Sequence, residues 1–383
     1  MLNILMTGDI YFPATQTPCL DPALQRLFES HYVIGNLEAP LIEIPSPSQK
    51  AGPILSMGIN TAKTLSHMGI NAVSLANNHS MDHGPEGLRS TTEALTSHAI
   101  AHIGIGFKKD PITPLILEEH QTVIFAAAER DFGAAVDHPM HIGYAWIGDP
   151  ELDRAIDTWK QKNFTVLVIA HAGEEYTPLP LPLWQARYRH LCDVGASAVI
   201  GHHPHVPQPI EKYKESSIVY SLGNFFFHGR DGLGLLSELN IRNGHCECRI
   251  IPIVQRDNNL STHPNTEGVT KALAQIWNTA CKNTSLFDAQ THHCYAENIE
   301  PLISVLGLIQ KNTPIGKAIL KTALNPIIKR PLINLDILVH LTRNESHNAI
   351  ISDFFGKTKD ISEEQKKTFL ELLAQSKKIW SGL

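Results

Sequence analysis

The 383-residue chain has no stretch of 18 or more uncharged apolar residues, so it offers no candidate transmembrane helix. It has no basic surplus either: 32 Lys and Arg stand against 38 Asp and Glu, a formal net charge of −6. Without that surplus there is little to gain from releasing counterions off a phosphate backbone, which argues against nucleic acid as a partner. The opening residues, Met1-Leu2-Asn3-Ile4-Leu5-Met6-Thr7, lack the basic stretch and small-residue cleavage site of a secretory leader and read as a first buried strand. The expected location is therefore cytoplasmic. The six cysteines (Cys19, Cys192, Cys246, Cys248, Cys281 and Cys294) form no CxxC pair and follow no disulfide logic for a chain this large. Cys246 and Cys248, two apart on an expected strand, face the same side, which alone does not make a zinc site.

One residue type is in surplus. The chain has 21 histidines, more than double the roughly 2% usage of an average soluble protein. Scattered imidazoles mean little, but imidazoles gathered at strand ends carry metal or acid–base chemistry. The rest of the composition, 43% hydrophobic and 18% charged, is that of a globular protein long enough for one large domain with an appendage, or two domains.

Short apolar runs alternate with helical patterns through the first 255 residues. Strands are expected at Leu2–Thr7, Tyr32–Gly35, Ala72–Ala76, Val123–Ala127, Val166–Ala170, Ala198–Ile200 and Ile218–Ser221, with Leu235–Ile241 and Glu247–Val254 as a closing antiparallel pair. Helices are expected at Ile59–Met68, Pro85–His98, Glu151–Lys162 and Leu183–Val194. Continuous apolar strands alternating with helices indicate an α/β layered fold with covered sheet faces. Glu43–Pro53 is a Pro/Ser/Gly loop long enough to face a substrate, Arg130–Asp149 is a second irregular segment, and Asp257–Glu267 reads as a linker. Beyond it only helices are expected, at Val269–Cys281, Ile299–Gln310, Ile315–Ala323, Leu332–Leu341 and Glu363–Ile379. The division is thus an α/β domain over 1–256 and an all-helical C-terminal appendage over 268–383.

Ligands of open α/β sheets bind beyond the carboxyl ends of the strands. Here those ends read Gly8-Asp9, Gly35-Asn36-Leu37-Glu38, Asn77-Asn78-His79 followed by Asp82-His83-Gly84, His171-Ala172-Gly173-Glu174-Glu175, Gly201-His202-His203-Pro204-His205, and Leu222-Gly223-Asn224. Each piece alone is weak: Gly-Asp is a common turn and Asn-Asn-His a common helix cap. Together they deliver carboxylates, carboxamides and imidazoles to one edge, a costly burial unless the groups pair or coordinate a cation. His203 and His205 alternate along an expected extended segment, so both would project to one side and share a cation. Oxygen and imidazole donors without thiolate suit one or two divalent ions, Mn²⁺, Fe²⁺, Zn²⁺ or Mg²⁺. Such ions activate water and clamp a phosphoryl or carbonyl oxygen. Asn78 would bind metal through oxygen while His79 serves as acid or charge stabiliser, oriented by Asp82 unless that carboxylate caps the next helix.

The ordered motifs GNLEAP, SLANNHSMDHG, HAGEEY, GHHPHV and YSLGNFFF resemble the bacterial poly-γ-glutamate capsule-synthesis (CapA/PgsA-like) family over roughly residues 2–230. The resemblance implies the fold of calcineurin-like metallophosphoesterases, a four-layer α/β/β/α sandwich with a metal centre at one edge. It implies Asp9 as the first-strand metal aspartate, Asn36 where a bridging aspartate is usual with Glu38 as its substitute, and Asn78, His171, His203 and His205 as further ligands. His79 matches the catalytic histidine, and Glu175, His202 and Asn224 belong to motifs where substrate or supporting contacts are expected. Two departures stand out: Tyr11 occupies the place of a metal-binding histidine, which favours a single tightly held ion, and Ala172 that of a tryptophan. Proteins of this family often carry an N-terminal membrane anchor, whereas this sequence starts at the first strand.

Two functions follow as expectations. One is a metal-dependent hydrolase whose metal-activated water attacks a phosphoester or a γ-glutamyl-type amide bond of a small or polymeric anionic substrate. The other is a non-hydrolytic, metal-binding component of poly-γ-glutamate synthesis or export. Lys50 is a candidate contact for an anionic substrate, as is Arg130, against solvated surface charge for both. Pro314–Arg343 mixes Lys317, Lys321, Lys329, Arg330 and Arg343 with Ile and Leu, a segment able to touch a membrane surface peripherally. Three prolines break it, which favours packing on the protein instead.

Overall fold

A computed structural model of the chain describes residues 2–13, 16–107, 110–299, 344–356 and 361–382. Two sheets dominate it. The first contains β1 (Leu2–Tyr11), β2 (Cys19–Leu20), β3 (Tyr32–Leu37), β6 (Ile70–Ser74), β7 (Ala101–Ile103), β16 (Asn224–Phe227), β17 (Gly232–Arg242), β18 (His245–Arg256) and β19 (Asn259–Thr262), ordered β2-β19-β18-β17-β1-β3-β6-β7 with β16 beside β1. The second contains β9 (Leu115–Leu117), β10 (Thr122–Ala128), β12 (Thr165–His171), β13 (Ala196–His202), β14 (Ile210–Tyr213) and β15 (Ser216–Val219), ordered β14-β15-β13-β12-β10-β9. Two small pairs, β4 (Leu41–Ile42) with β5 (Met57–Gly58) and β8 (Ile105–Gly106) with β11 (Gly143–Tyr144), shape the rim.

Strand alternation builds the layers. Ile4, Met6, Ile34 and Ala72 of the first sheet meet Ile124, Ala126, Leu167, Ile169, Ala198 and Ile200 of the second in one core between the sheets. The intervening Leu5, Val33 and Val73 face outward onto α1 (Pro22–Ser30), α2 (Thr61–Met68) and α3 (Gly84–Ser97) through Leu24, Phe28, Leu65 and Leu95. On the far side, Val123, Phe125, Val166 and Val168 pack against Leu152 and Ile156 of α4 (Pro150–Gln161) and Trp184, Tyr188 and Leu191 of α5 (Pro182–Val194). The result is the four-layer α/β/β/α sandwich that the motifs imply.

The expected strands and helices of the first 255 residues all form, and short strands not expected from the sequence (β2, β4, β5, β7, β8, β9, β11, β14 and β16) join them. Helix α1 was not expected, although Asp21 caps it by accepting from the Leu24 amide at 2.7 Å and Pro22 opens its first turn. The segment read as a linker, 257–267, instead contributes β19 to the first sheet, paired with β18 and β2. The C-terminal helices described are α6 (Thr266–Lys282), α7 (Ser285–Cys294), α8 (Glu345–Gly356) and α9 (Glu363–Trp380). Of these, α7 and α8 were not expected. Those anticipated at Ile315–Ala323 and Leu332–Leu341, with the basic stretch 314–343 and all but the first residue of Ile299–Gln310, lie outside the described residues. Among the described residues no helix is long and apolar enough to cross a membrane. All six cysteines are free; Cys246 and Cys248 lean on the core between the sheets, and Cys248 Sγ lies 3.2 Å from Ser237 Oγ.

Candidate metal centre

Strand register gathers the site. In the first sheet Asp9 of β1 stands beside Asn36 of β3 and Asn224 of β16; in the second His171 of β12 stands beside His202 of β13. Asn224 reaches the first sheet because the chain leaves β15 in the second sheet and crosses over at Ser221–Gly223, where Gly223 takes a left-handed φ of 68°. The two rows face each other across the top of the core. Asp9, Asn36, Glu38, His171 and His202 are all buried there.

Two sets of donor atoms converge: Glu38, His171 and His203 in one, Asp9, Glu38 and His205 in the other, each set lying within 4.8 Å of one another. His171 Nε2 is 3.1 Å from His203 Nδ1 and 3.8 Å from Glu38 Oε1. His205 lies 3.4 Å from Asp9 Oδ2 through Nδ1 and 3.6 Å from Glu38 Oε1 through Nε2. Glu38 belongs to both sets, and both its oxygens are buried without a hydrogen bond. A buried carboxylate that makes no hydrogen bond and faces imidazoles only at ion-pair distance is costly to keep charged unless a cation meets it, so the residues present fit divalent ions, with Glu38 common to both sets. The carboxylate, imidazole and carboxamide donors suit Mn²⁺, Fe²⁺, Zn²⁺ or Mg²⁺.

Several expectations need correction in detail. His203 and His205 do not project from an extended segment. Both adopt left-handed backbone, φ 94° and 59°, on a turn around Pro204, and each joins a different donor set. Asn36 holds its amide nitrogen toward the cluster, donating to Asp9 Oδ1 at 2.8 Å and lying 3.2 Å from His171 Nδ1, while its oxygen accepts from Asn77 Nδ2. It therefore orients Asp9 and His171, and Glu38 is the carboxylate common to both donor sets. Asn78 Oδ1 sits 3.1 Å from His171 Nε2, at the edge of the first set. His202 donates to Asp9 Oδ1 at 3.1 Å, and Asn224 Oδ1 is 2.9 Å from His205 Nδ1. Tyr11 packs at a tilt against Phe227, whose ring in turn packs edge-on against His205 at 4.8 Å.

Lys50 was a candidate for an anionic substrate, but its ammonium is taken up within the protein. It pairs with Asp82, donates to the Asn78 carbonyl at 3.2 Å and lies 3.4 Å from His79 Nδ1. Asp82 in turn accepts from His79 Nδ1 at 2.7 Å and from the Leu55 amide at 2.6 Å, so it orients His79 and does not cap α3. The chain from the 43–56 loop thus locks the His79–Asp82 pair. Arg130 pairs with Asp137. Glu175 lines the cavity that opens off the site.

Electrostatics follow from burial. It raises Asp9, but hydrogen bonds from His202 and His205 outweigh it and hold the carboxyl well below the usual range. Burial and the adjacent Asp9 charge push Glu38 well above it. Burial lowers His203 to about 4 and, with the neighbouring His203, lowers His171, so both present neutral rings. His205 is pushed up to about 10: burial lowers it, but the charges of Glu38 and Asp9 prevail. Burial also lowers His79 despite its bond to Asp82.

A cavity of about 400 Å³ opens from Asn78 and His203. Its walls combine Asp131, Glu174, Glu175 and Tyr176 of the sandwich with His293, Asn344, His347 and Lys377 of the C-terminal helices. A second, of about 270 Å³, shares Tyr176 and Lys377 and reaches His205, Asn224 and Arg230. Two residues not singled out from the sequence lie at the site: Asp131 lines the first cavity and Glu129 Oε1 is 3.5 Å from His203 Nε2. Glu129 and Asp131 follow strand β10, whose end carries the same signal as the six others: an apolar run breaking into polar residues.

The model of the family described as "Bacterial capsule synthesis protein PGA_cap" matches residues 3–229. Capsule biosynthesis protein CapA of Bacillus anthracis is 31% identical over 211 residues, covering 52% of this chain and 51% of that protein. PGA biosynthesis protein CapA of Bacillus subtilis (strain 168) is 30% identical over 207 residues, covering 52% and 53%. The probable polyglutamine synthesis accessory protein Rv0574c of Mycobacterium tuberculosis is 30% identical over 167 residues, covering 39% and 43%. The chain spans about half the length of the curated relatives it matches. With the family match spanning more than half of the chain and every strand that carries the candidate centre, the chain belongs to the bacterial capsule synthesis PGA_cap family.

Proposed function

We propose that the chain is a metal-dependent hydrolase. The observation that carries this reading is the pair of donor sets joined by Glu38, both of whose oxygens are buried and bare, beside an imidazole already held by a carboxylate. Divalent ions, when bound, would supply Lewis acidity toward water and the substrate oxygen. The protein's own groups do the rest. Asn36 and His202 fix the Asp9 carboxylate. Burial keeps His171 and His203 neutral. Asp82 holds His79 by Nδ1, which leaves Nε2 to exchange a proton with the substrate or leaving group. Lys50 fixes Asp82 in turn.

The reaction class is a phosphoester or a γ-glutamyl-type amide bond. The cavity favours the amide: Asp131, Glu174, Glu175 and Glu297 line it together with His293, His347 and Lys377, and Arg230 lines the adjoining one. Walls of both signs suit a ligand bearing both amine and carboxylate better than a polyanion alone. The relatives' names, capsule and PGA biosynthesis, support the alternative of a non-hydrolytic metal-binding component.

The deciding experiment is elemental analysis followed by turnover of a phosphodiester analogue and a γ-glutamyl peptide with Mn²⁺ supplied. The expected result is bound metal with hydrolysis, cut about 10²–10⁴-fold in His79→Ala at unchanged metal content. Bound metal without turnover would favour the non-hydrolytic role. No metal under any loading would overturn the reading.

A further inference from the structure

Strand β10 runs out into Glu129-Arg130-Asp131, and each of these residues is held by one residue at the start of helix α8. Asn344 Nδ2 donates to Asp131 Oδ2 at 3.1 Å. The Arg130 amide donates to Glu345 Oε2 at 2.7 Å, and Trp146 Nε1 donates to the same oxygen at 3.0 Å. Ser346 gives Glu129 Oε2 two hydrogen bonds, from its amide at 3.0 Å and its hydroxyl at 2.6 Å. The hydroxyl also accepts from Trp184 Nε1 at 2.8 Å. Glu129, Asp131, Asn344 and Ser346 are all buried. The pairs 129 with 346, 130 with 345 and 131 with 344 form an antiparallel clasp between the sandwich and a helix beyond the family match at 3–229.

The clasp ends at the candidate metal centre. With Oε2 of Glu129 fixed by Ser346, Oε1 carries no hydrogen bond and lies 3.5 Å from His203 Nε2. The Glu129 amide donates to the His171 carbonyl at 3.0 Å, so the residue is anchored to both histidines of the first donor set. His203 approaches His171 through Nδ1. An imidazole that offers Nδ1 to a cation must carry its proton on Nε2, and a carboxylate on that side selects this tautomer and ring orientation. His203 sits on left-handed backbone that a non-glycine residue rarely adopts.

We infer that Glu129 is the positioning residue of the His203 imidazole and that helix α8, through Ser346, sets Glu129. The inference rests on the metal-centre reading above. A purely structural role is the competing account: Glu129 would serve as an acceptor for the first turn of α8, and its loss would cost stability without touching cation affinity.

The test is calorimetric titration of Mn²⁺ into the metal-stripped full-length chain, with thermal melts of the same metal-free samples. Glu129→Gln keeps an acceptor for Ser346 but puts a donor or a neutral oxygen against His203. It should weaken Mn²⁺ binding about 10–100-fold, the usual effect of losing such a partner, with the metal-free melt close to wild type. Ser346→Ala should weaken binding in the same direction, and Ser346→Thr, which restores the hydroxyl, should recover it. That pair decides the matter even if Glu129→Gln folds poorly. Lower melting with Mn²⁺ affinity unchanged in Glu129→Gln and Ser346→Ala would overturn the inference and leave the metal centre standing. A wild-type chain that binds no Mn²⁺, Fe²⁺ or Zn²⁺ would overturn both.

Discussion

Glu38 stands in both donor sets, and His203 and His205 in one each. Because Glu38 is the shared anion, Glu38→Gln should empty the centre altogether, whereas His203→Ala and His205→Ala should each weaken a different half. The double histidine variant should lose all metal while still melting cooperatively. Elemental analysis after loading and desalting reads the difference; full metal content in Glu38→Gln would refute the bridging assignment. The same residues fix the sign of the pH dependence. Free of cation, His205 is pushed up to about 10 by Glu38 and Asp9, and Glu38 itself is raised by burial and by Asp9. The pair therefore holds a proton through the neutral range that a cation has to displace, so binding tightens as pH rises toward the His205 value and weakens as it falls. Titration at pH 7 in two buffers of different ionisation enthalpy should show release of about one proton per cation at this half-site. Equal heats in the two buffers would mean that nothing is displaced.

Strands carry the ligands into place because glycine lets their ends approach other backbone. A Cβ on Gly201, just before His202, would lie 2.0 Å from the Tyr220 carbonyl oxygen, and one on Gly8, before Asp9, equally close to that of Gly223. Neither contact can relax by turning a side chain. Gly201→Ala should cost about 1–3 kcal/mol or more and shift the turn carrying His203 and His205, read as a lower urea midpoint and weaker Mn²⁺ binding; a midpoint equal to wild type would refute the close approach. This also shows what was legible beforehand. An apolar run breaking into Asp, Asn or His marks a buried strand delivering polar groups, so Asp9, Glu38, Asn78, His171 and the histidine pair could be named from order alone. Backbone sign could not. Nothing in Gly-His-His-Pro-His announces φ of 94° and 59°, where the alternation alone reads as extended. Side-chain direction was equally hidden: Lys50 looked available for an anion until packing brought Asp82 against it. Glu129 obeys the same rule as the others, since the apolar run of β10 breaks into Glu129-Arg130-Asp131.

The whole molecule joins the C-terminal helices to the sandwich more closely than a helical appendage implies. Val269 and Leu273 of α6 enter the core between the sheets, and Trp277 enters the core under α5. A further cluster unites α6, α7 and α9 with Leu179 and with Val206, the residue after His205. Trp380, at the end of α9, is buried there, and its Nε1 donates to the Pro207 carbonyl at 3.1 Å. Helical periodicity made α6 and α9 legible; their docking was not, because an amphipathic stripe does not name the face it will cover. Shared cores predict shared cooperativity. Trp380→Ala removes a large buried ring and should cost about 3–5 kcal/mol. If the helices and the sandwich unfold together, that loss moves one transition, with far-ultraviolet dichroism and tryptophan fluorescence tracing the same curve. It should also loosen Mn²⁺ binding through the His205 turn. A separate early transition that shifts alone, leaving the main one and the Mn²⁺ affinity in place, would show that the helices unfold as their own unit and do not brace the site.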